Sequence, residues 1–156
     1  MKITLIQVGQ TVDKYLKVGI EEYNKRLSHY TRFETVEIKD IKNAGRLSRD
    51  ELKRKEAAEI SARLQNSDYV VLLDERGSEY TSEKFANFIQ GRMNSGVKRV
   101  VFIIGGAFGF ADEIYQRANK KLSLSQMTFS HRMIRLLFTE QLYRAHTILR
   151  GEPYHY

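Results

Sequence analysis

The 156-residue sequence contains no cysteine, and Pro153 is its only proline. Without cysteine, the chain can form neither a disulfide framework nor a thiolate nucleophile nor a zinc-thiolate site, which is typical of a reducing compartment. No apolar run approaches the length that spans a membrane, and the segment Met1–Val8 has neither the apolar core nor the cleavage site of a signal peptide. The length is typical of one domain. We therefore expect a single cytoplasmic domain over residues 1–156.

Several signatures of metal binding and catalysis are also missing. The four histidines are His29, His131, His146 and His155. None is spaced with another histidine and a carboxylate in the manner of metal ligands, so the sequence predicts no metal site. It contains no Gly-x-Ser-x-Gly elbow, no Walker phosphate loop and no carboxylate pair typical of a glycosidase. These absences disfavour hydrolysis and phosphate-loop chemistry.

Basic residues outnumber acidic ones. The chain has 26 Lys and Arg against 19 Asp and Glu, with a net charge of +7 at pH 7 and a pI of about 9.6. The segment Lys39–Lys55 concentrates this excess, and we expect Lys53, Arg54 and Lys55 within it to contact phosphate groups of an anionic partner. Because basic surfaces also serve solubility alone, the charge by itself favours nucleic acid only slightly.

Strand-like runs alternate with segments of helical periodicity. The runs are Ile3–Val8, Thr35–Ile41, Tyr69–Asp74 and Val100–Ile104. This alternation predicts an α/β fold with a parallel sheet covered by helices on both faces. Ser48 and Glu51 predict a capping box at the start of one of these helices.

The helix predicted over about Arg132–Arg150 is apolar around most of its circumference. Its apolar side chains span roughly 260°, whereas a surface helix needs a stripe of about 100°. The polar strip that remains consists of Arg135, Thr139, His146 and Arg150. Either the domain wraps this helix, or part of the apolar arc meets a second subunit. We favour a symmetric dimer, because a domain of this size rarely encloses a helix completely.

The run Val100–Ile104 leads directly into the glycine loop Gly105-Gly106-Ala107-Phe108-Gly109. Ligands of open parallel sheets bind beyond the carboxyl ends of the strands, where glycine lets the backbone approach them closely. We expect a bulky side chain at Gly105 to fill space that such a ligand needs. The loop lacks the spacing of a dinucleotide fingerprint, so a plain structural turn is an equally open interpretation.

A second candidate segment, Leu122–His131, begins with strand-like alternation and continues with apolar and hydroxyl residues. Buried loop backbone needs hydrogen-bond partners, so an apolar loop suggests partners on a ligand such as a flat heterocycle. A fifth strand followed by a buried turn explains the same pattern. His131 is placed either to move a proton at the mouth of the cleft or to cap the last helix.

Over its whole length the chain resembles the SPOUT-class ribosomal RNA large-subunit methyltransferase H family, which methylates N3 of a pseudouridine in 23S rRNA. The resemblance is carried by Val71–Gly77, Ile104–Gly109, Leu122–Phe129, His131, Glu140–Ala145 and Pro153–His155. The tail differs from the family pattern, in which Asn-His-Pro-Tyr-His is followed by a basic residue. Here Gly151 and Glu152 precede Pro153, and Tyr156 follows His155.

The resemblance implies an α/β knot fold with a C-terminal trefoil knot, a homodimer, S-adenosylmethionine as cofactor, and 23S rRNA within the ribosome as partner. The implied cofactor contacts are Leu73, Gly105, Leu124, Ser125, Gln126, Met127, Thr128 and Phe129. Because N3 of a uracil ring must lose a proton, a base or an anion-stabilising group is needed. The candidates for it are His131, Arg144, Tyr154 and His155.

Two other functions are compatible with the sequence. One is a non-catalytic RNA- or ribosome-binding factor that uses the Lys39–Lys55 surface and no cofactor. The other is an α/β enzyme that acts on a small nucleotide. Binding of S-adenosylmethionine distinguishes methyl transfer from the first, and salt-dependent RNA binding distinguishes it from the second.

Overall fold

In a computed structural model that describes all of residues 1–156, the chain forms a five-stranded sheet. The strands are β1 (Lys2–Val8), β2 (Arg32–Ile38), β3 (Tyr69–Glu79), β4 (Arg99–Ile104) and β5 (Lys120–Ser123). They lie in the order β2-β1-β4-β3-β5, and every neighbouring pair is parallel. The predicted α/β class with a parallel sheet is confirmed.

Helices cover both faces of the sheet. They are α1 (Lys14–Leu27), α2 (Arg49–Ser61), α3 (Ser82–Asn94), α4 (Asp112–Arg117) and α5 (Met133–Leu149), and a 3-10 turn lies at Ala44–Arg46. One buried cluster joins the sheet to α1, α3 and α5, and a second joins the opposite face to α2 and α4. None of these helices is both long enough and apolar enough to cross a membrane.

Two strands differ in extent from the prediction. β2 starts and ends three residues earlier than Thr35–Ile41, because its ladder with β1 runs from Lys2↔Arg32 to Val8↔Ile38 and stops where β1 stops. β3 continues past Asp74, because it resumes pairing with β5 after a register shift. Gly77 permits that close approach, since a Cβ there would lie 2.6 Å from the backbone nitrogen of Leu122.

The local helix signals are confirmed at the start of α2. The hydroxyl of Ser48 accepts a hydrogen bond from the Glu51 amide at 3.1 Å, and the Glu51 carboxylate accepts one from the Ser48 amide at 3.5 Å. This reciprocal box satisfies amides that the first helical turn leaves without partners. It fixes the direction in which α2 leaves the Lys39–Ser48 loop.

Three of the four residues in the polar strip of α5 face the interior of the domain, whereas Arg150 at the end of the helix is exposed. Arg135 is only 1% exposed and donates to the Val8 carbonyl and to the Thr11 hydroxyl, both at 2.7 Å. Thr139 and His146 are also buried. On the other side of the helix, the apolar residues Met133, Leu136, Leu137 and Ile148 remain partly exposed. The domain therefore covers one side of α5 and does not wrap it.

Candidate active site

A cleft of about 890 Å³ lies where β4 and β5 end and where β3 stops pairing with β4. Its walls come from Leu73–Arg76 of β3, from the glycine loop Gly105–Phe110 after β4, and from the segment after β5 that runs to His131. The cleft thus occupies the carboxyl edge of three neighbouring strands, which is the usual ligand position in such sheets. It brings together both segments that the sequence singled out.

Most of the predicted cofactor residues line this cleft. They are Leu73, Gly105, Leu124, Ser125, Met127, Thr128 and Phe129, together with the candidate base His131. Gln126 lies in the same loop and is exposed, but its side chain is not part of the lining. Gly105–Gly109 therefore forms a loop that faces a cleft. This geometry favours the ligand-loop hypothesis over that of a plain structural turn.

The glycine loop packs tightly on its protein side. A Cβ at Gly105 would lie 3.1 Å from the Phe110 ring, and one at Gly106 would lie 2.7 Å from a carboxylate oxygen of Glu56. Gly109 has φ of +82°, the left-handed conformation that favours glycine. A side chain at Gly105 would therefore contact Phe110 as well as the cleft, and the expectation that a bulky residue there fills space a ligand needs stays a prediction.

The segment after β5 is held by its own hydroxyl groups. Ser123 donates to the Ser125 carbonyl at 2.9 Å, Ser125 accepts from the Met127 amide at 2.9 Å, and Thr128 donates to the Glu75 carboxylate at 2.8 Å. Met127 is 76% exposed, and Phe129 is also exposed. The fifth strand is present, but the turn that follows it is not buried. Serine side chains satisfy part of its backbone, while the apolar side chains of Met127 and Phe129 face solvent.

Asp74 places an ionised carboxylate at the wall of the cleft. Its oxygens accept hydrogen bonds from the Arg76 amide at 2.8 Å and from the Tyr115 hydroxyl at 2.5 Å. Burial alone would raise the pKa of Asp74, but these two hydrogen bonds and the nearby positive charge of Arg76 outweigh it and hold the pKa below its usual value. The cleft consequently carries a negative charge at neutral pH.

His131 stands at the end of the cleft next to the start of α5. Burial lowers its pKa below the usual value, and the positive charges of Arg135 and Arg132 lower it further, against an opposing effect of Asp40. The imidazole is therefore neutral at physiological pH. A neutral imidazole can accept a proton, so the environment suits His131 to the role of a base.

Arg144, Tyr154 and His155 form a separate cluster that does not line the cleft. Arg144 donates to Glu140 at 2.6 Å and to Nδ1 of His155 at 3.1 Å, and Tyr154 donates to Glu140 at 2.9 Å. Arg144 lies ten residues after Ile134, which does line the cleft, and that spacing is about 15 Å along a helix. Within one chain, His131 therefore lies at the cleft, whereas the tail cluster of Arg144, Tyr154 and His155 lies away from it.

Arg144 and Tyr154 act as hydrogen-bond donors in the tail cluster. Hydrogen bonding to Glu140 raises the pKa of Arg144, and burial followed by hydrogen bonds with Tyr23 and Glu140 raises that of Tyr154. Since a guanidinium only donates, Nδ1 of His155 accepts from Arg144, and its Nε2 donates to Glu83 at 2.8 Å. These groups are arranged to stabilise negative charge rather than to remove a proton.

Sequence reasoning missed part of the cleft rim. Arg49 and Lys53, one helical turn apart on α2, line it, and the Arg49 guanidinium lies 4.6 Å from the centre of the exposed Phe108 ring. Of the predicted Lys53-Arg54-Lys55 cluster, Arg54 and Lys55 do not line the cleft. The i,i+4 spacing after the capping box was the available signal, because it places these two cations on one helix face.

No group of three or more His, Cys, Asp or Glu side chains is arranged to hold a metal ion. Asp74 pairs with hydrogen-bond donors and with the guanidinium group of Arg76. Together with His131, it gives the cleft groups for electrostatic and acid-base chemistry.

Comparisons with known proteins agree along the full chain. A family model described as "Predicted SPOUT methyltransferase" matches residues 1–155. A protein of Christiangramia forsetii is 53% identical over 100% of this chain and 99% of its own, and one of Cytophaga hutchinsonii is 53% identical over 100% of both. A protein of Parabacteroides distasonis is 51% identical over 100% of this chain and 99% of its own. All three are named "Ribosomal RNA large subunit methyltransferase H".

Proposed function

The chain belongs to the SPOUT methyltransferase family, and from that premise we propose that it methylates N3 of a pseudouridine in 23S rRNA with S-adenosylmethionine as methyl donor. The observation that carries this proposal is the cleft that the glycine loop and the Leu122–His131 segment form together. A ribosomal substrate places the enzyme in the cytoplasm.

The residues of the cleft fit the methyl donor. Its volume of about 890 Å³ falls within the range of small-molecule sites. Leu73, Leu124 and Met127 offer apolar surface to an adenine ring, and Gly105 offers backbone that no Cβ shields. Asp74, which stays ionised, supplies negative charge opposite to that of a sulfonium. When bound, S-adenosylmethionine supplies an electrophilic methyl group.

The protein has two further tasks, which are to position the base and to manage its N3 proton. Holding two reactants in line can lower the barrier by about 7 kcal/mol or more. His131, neutral and at the cleft, accepts the proton in our proposal. Arg144, which remains charged, stabilises the negative charge that develops on the ring.

His131 and Arg144 can act on one base only if two chains combine, because each chain holds them in separate places. We therefore propose a homodimer in which the tail cluster of one chain faces the cleft of the other. Exposed apolar side chains support it: Val12, which precedes α1, is 56% exposed, and Tyr15 and Val18 of α1 are 67% and 69% exposed. Membership of the family also supports the proposal that the C-terminal part of the chain forms a trefoil knot.

The decisive experiment has two arms. Calorimetric titration with S-adenosylmethionine measures cofactor binding, and incubation with ribosomes from a strain that lacks the modification measures transfer, with mass spectrometry of the rRNA to locate the methyl group. Isolated large subunits and assembled ribosomes are compared as substrates. Ribosome binding without cofactor binding or transfer would instead support the non-catalytic RNA-binding factor.

Variants of the candidate residues separate chemistry from binding. In single-turnover assays His131→Ala and Arg144→Ala should lower the transfer rate by about 10²-fold or more, the range for a positioned acid-base or charge-stabilising group. Cofactor affinity should change much less. Exposed His29→Ala is the matched control. Unchanged transfer in both variants would remove them from the chemistry.

A further inference from the structure

A second cavity, of about 710 Å³, adjoins the cofactor cleft at the outer edge of the sheet. The two share Arg76, Asp112 and Tyr115 as lining residues. The remaining lining residues are Gly77, Ser78, Ala118, Asn119, Lys120 and Lys121. The second cavity therefore lies directly beside the cleft, within reach of the nucleotides next to a base that enters the cleft.

Arg76 pairs with Asp74 at 3.6 Å, but the two lysines of this cavity form no ion pair. Neither Lys120 nor Lys121 has a carboxylate within 4.0 Å, in contrast to Lys53 on the opposite rim, which pairs with Asp50 at 3.8 Å. Their ammonium groups instead lie 5.1 Å and 5.7 Å from the ring centres of Tyr80 and Tyr115. A lysine held over a ring keeps its full charge for another partner.

The neutral groups of the cavity are donors as well. The side-chain oxygen of Asn119 already accepts from the Val70 amide at 2.8 Å, which leaves its amide nitrogen to donate outward. Ser78 adds a hydroxyl group on the same wall, and Asp112 is the one acidic residue among the lining residues. Cations and donors with a single carboxylate suit an anion rather than a cation or an apolar group.

We propose that this second cavity binds the phosphodiester backbone of the substrate RNA next to the target nucleotide, with Lys120 and Lys121 as the principal contacts. The inference rests on the proposed function and specifies where its RNA lies. Phosphate contacts of this kind fix the register of a nucleic acid without reading its sequence. They would hold the target base over the cleft.

The test compares two charge-matched double variants in ribosome binding over a range of KCl concentrations at fixed Mg²⁺. Lys120→Gln with Lys121→Gln should lower the slope of log K against log salt by about 1 for each lysine and raise the KM for ribosomes. The control, Lys25→Gln with Lys98→Gln, removes two exposed lysines that line neither cavity and should retain the slope of the parent protein. The double variant Lys120→Arg with Lys121→Arg keeps both positive charges and should have the salt slope of the parent protein.

Affinity for S-adenosylmethionine, which carries no phosphate, should be the same in all of these variants, and this also verifies that they are folded. An unchanged salt slope in the glutamine pair, with transfer by the parent protein intact, would overturn the phosphate site alone. A parent protein that transfers no methyl group to ribosomes would overturn the proposed function and the site together. Equal loss of slope in the control pair would show a diffuse charge effect and would also overturn the site.

Discussion

His146 is a histidine that the fold buries without a partner for its Nε2 atom. It is 6% exposed, and its ring stacks on Tyr30 with the centres 6.2 Å apart. Burial lowers its pKa from 6.5 to about 4, and the positive charge of Arg150 contributes to the shift. The unfolded chain therefore binds a proton at a pH at which the native protein does not.

Acid should consequently destabilise the protein through this residue. Because the pKa is lower in the native state, stability is lost as the pH falls from about 6.5 to about 4, and the full shift corresponds to about 3 kcal/mol. His146→Gln should make the free energy of unfolding less dependent on pH in this window. Urea denaturation at several pH values measures it, with exposed His29→Gln as control. An identical pH dependence in parent protein and His146→Gln would contradict the assignment.

Gly106 shows how one missing Cβ positions the glycine loop. A Cβ there would lie 2.7 Å from the Glu56 carboxylate, which is nearly buried and whose pKa is raised by burial and by the charge of Asp40. We expect Gly106→Ala to displace this carboxylate or the loop, with a loss of about 1–3 kcal/mol in stability and weaker cofactor binding. Calorimetry and thermal unfolding measure both effects.

A glycine-to-alanine change at Gly91 provides the control for Gly106→Ala. Gly91 lies inside α3, and a Cβ there would meet nothing within 4 Å. Gly91→Ala should therefore stabilise the protein by about 0.5–1 kcal/mol, since alanine favours a helix. In a Glu56→Ala background, Gly106→Ala should have little further effect. Additive losses in that double variant would exclude Glu56 as the reason for glycine at position 106.

At the scale of the elements, Arg135 ties α5 to the loop after β1. Its guanidinium bonds to the Val8 carbonyl and the Thr11 hydroxyl lie far from solvent, and Thr11 in turn donates its amide to Glu37. Burial lowers the pKa of Arg135, although it remains a cation. One side chain thus connects the last helix to the carboxyl ends of β1 and β2.

Removing this connection should destabilise the fold. Arg135→Met keeps much of the volume but leaves the Val8 carbonyl and the Thr11 hydroxyl without a donor, so we expect a loss of about 1–3 kcal/mol. Arg150→Met, at the exposed end of the same helix, should cost less than about 1 kcal/mol, the value of an exposed contact with the Tyr30 ring. Chemical denaturation measures the free energy of unfolding of both variants. Equal losses would contradict the stabilising role of the buried hydrogen bonds of Arg135.

At the scale of the whole molecule, α1 and α5 present one continuous surface. They pack so closely that a Cβ at Gly19 would lie 2.9 Å from Leu136. The exposed side chains of Tyr15 and Val18 lie beside this contact on α1, and the partly exposed face of α5 adjoins it. A second chain that covers both would bury the apolar side chains that one domain leaves in solvent.

Sedimentation should therefore give about twice the chain mass of 18.2 kDa at micromolar concentration. Tyr15→Glu with Val18→Glu should shift the protein towards monomer and reduce methyl transfer, because the tail cluster would no longer meet the partner's cleft. Both residues are exposed in the single chain, so its fold should tolerate the change. Lys17→Glu, about 160° around α1 from Tyr15, is the control. A parent protein that sediments as a monomer would refute the dimer.

The amino-acid sequence by itself determined the local elements of this protein. Runs such as Val100–Ile104 and the Ser48–Glu51 box predicted β4 and the start of α2 correctly, because strand formation and helix capping depend on residues that are neighbours in the chain. The glycine loop and the segment ending at His131 could be singled out for the same reason, since each follows a strand directly. The family resemblance then named the ligand that such loops would hold.

Only the tertiary structure decided which faces these elements show to one another. The periodicity of α5 identified Arg135, Thr139 and His146 as a polar strip, but not that the domain would bury it, because burial depends on distant partners such as the Val8 carbonyl. Pairing of β3 with β5 beyond Asp74 and the distance of Arg144 from the cleft likewise follow from packing. Periodicity specifies the direction of each side chain relative to its own element, whereas the position of that element in the fold is set by contacts remote in sequence.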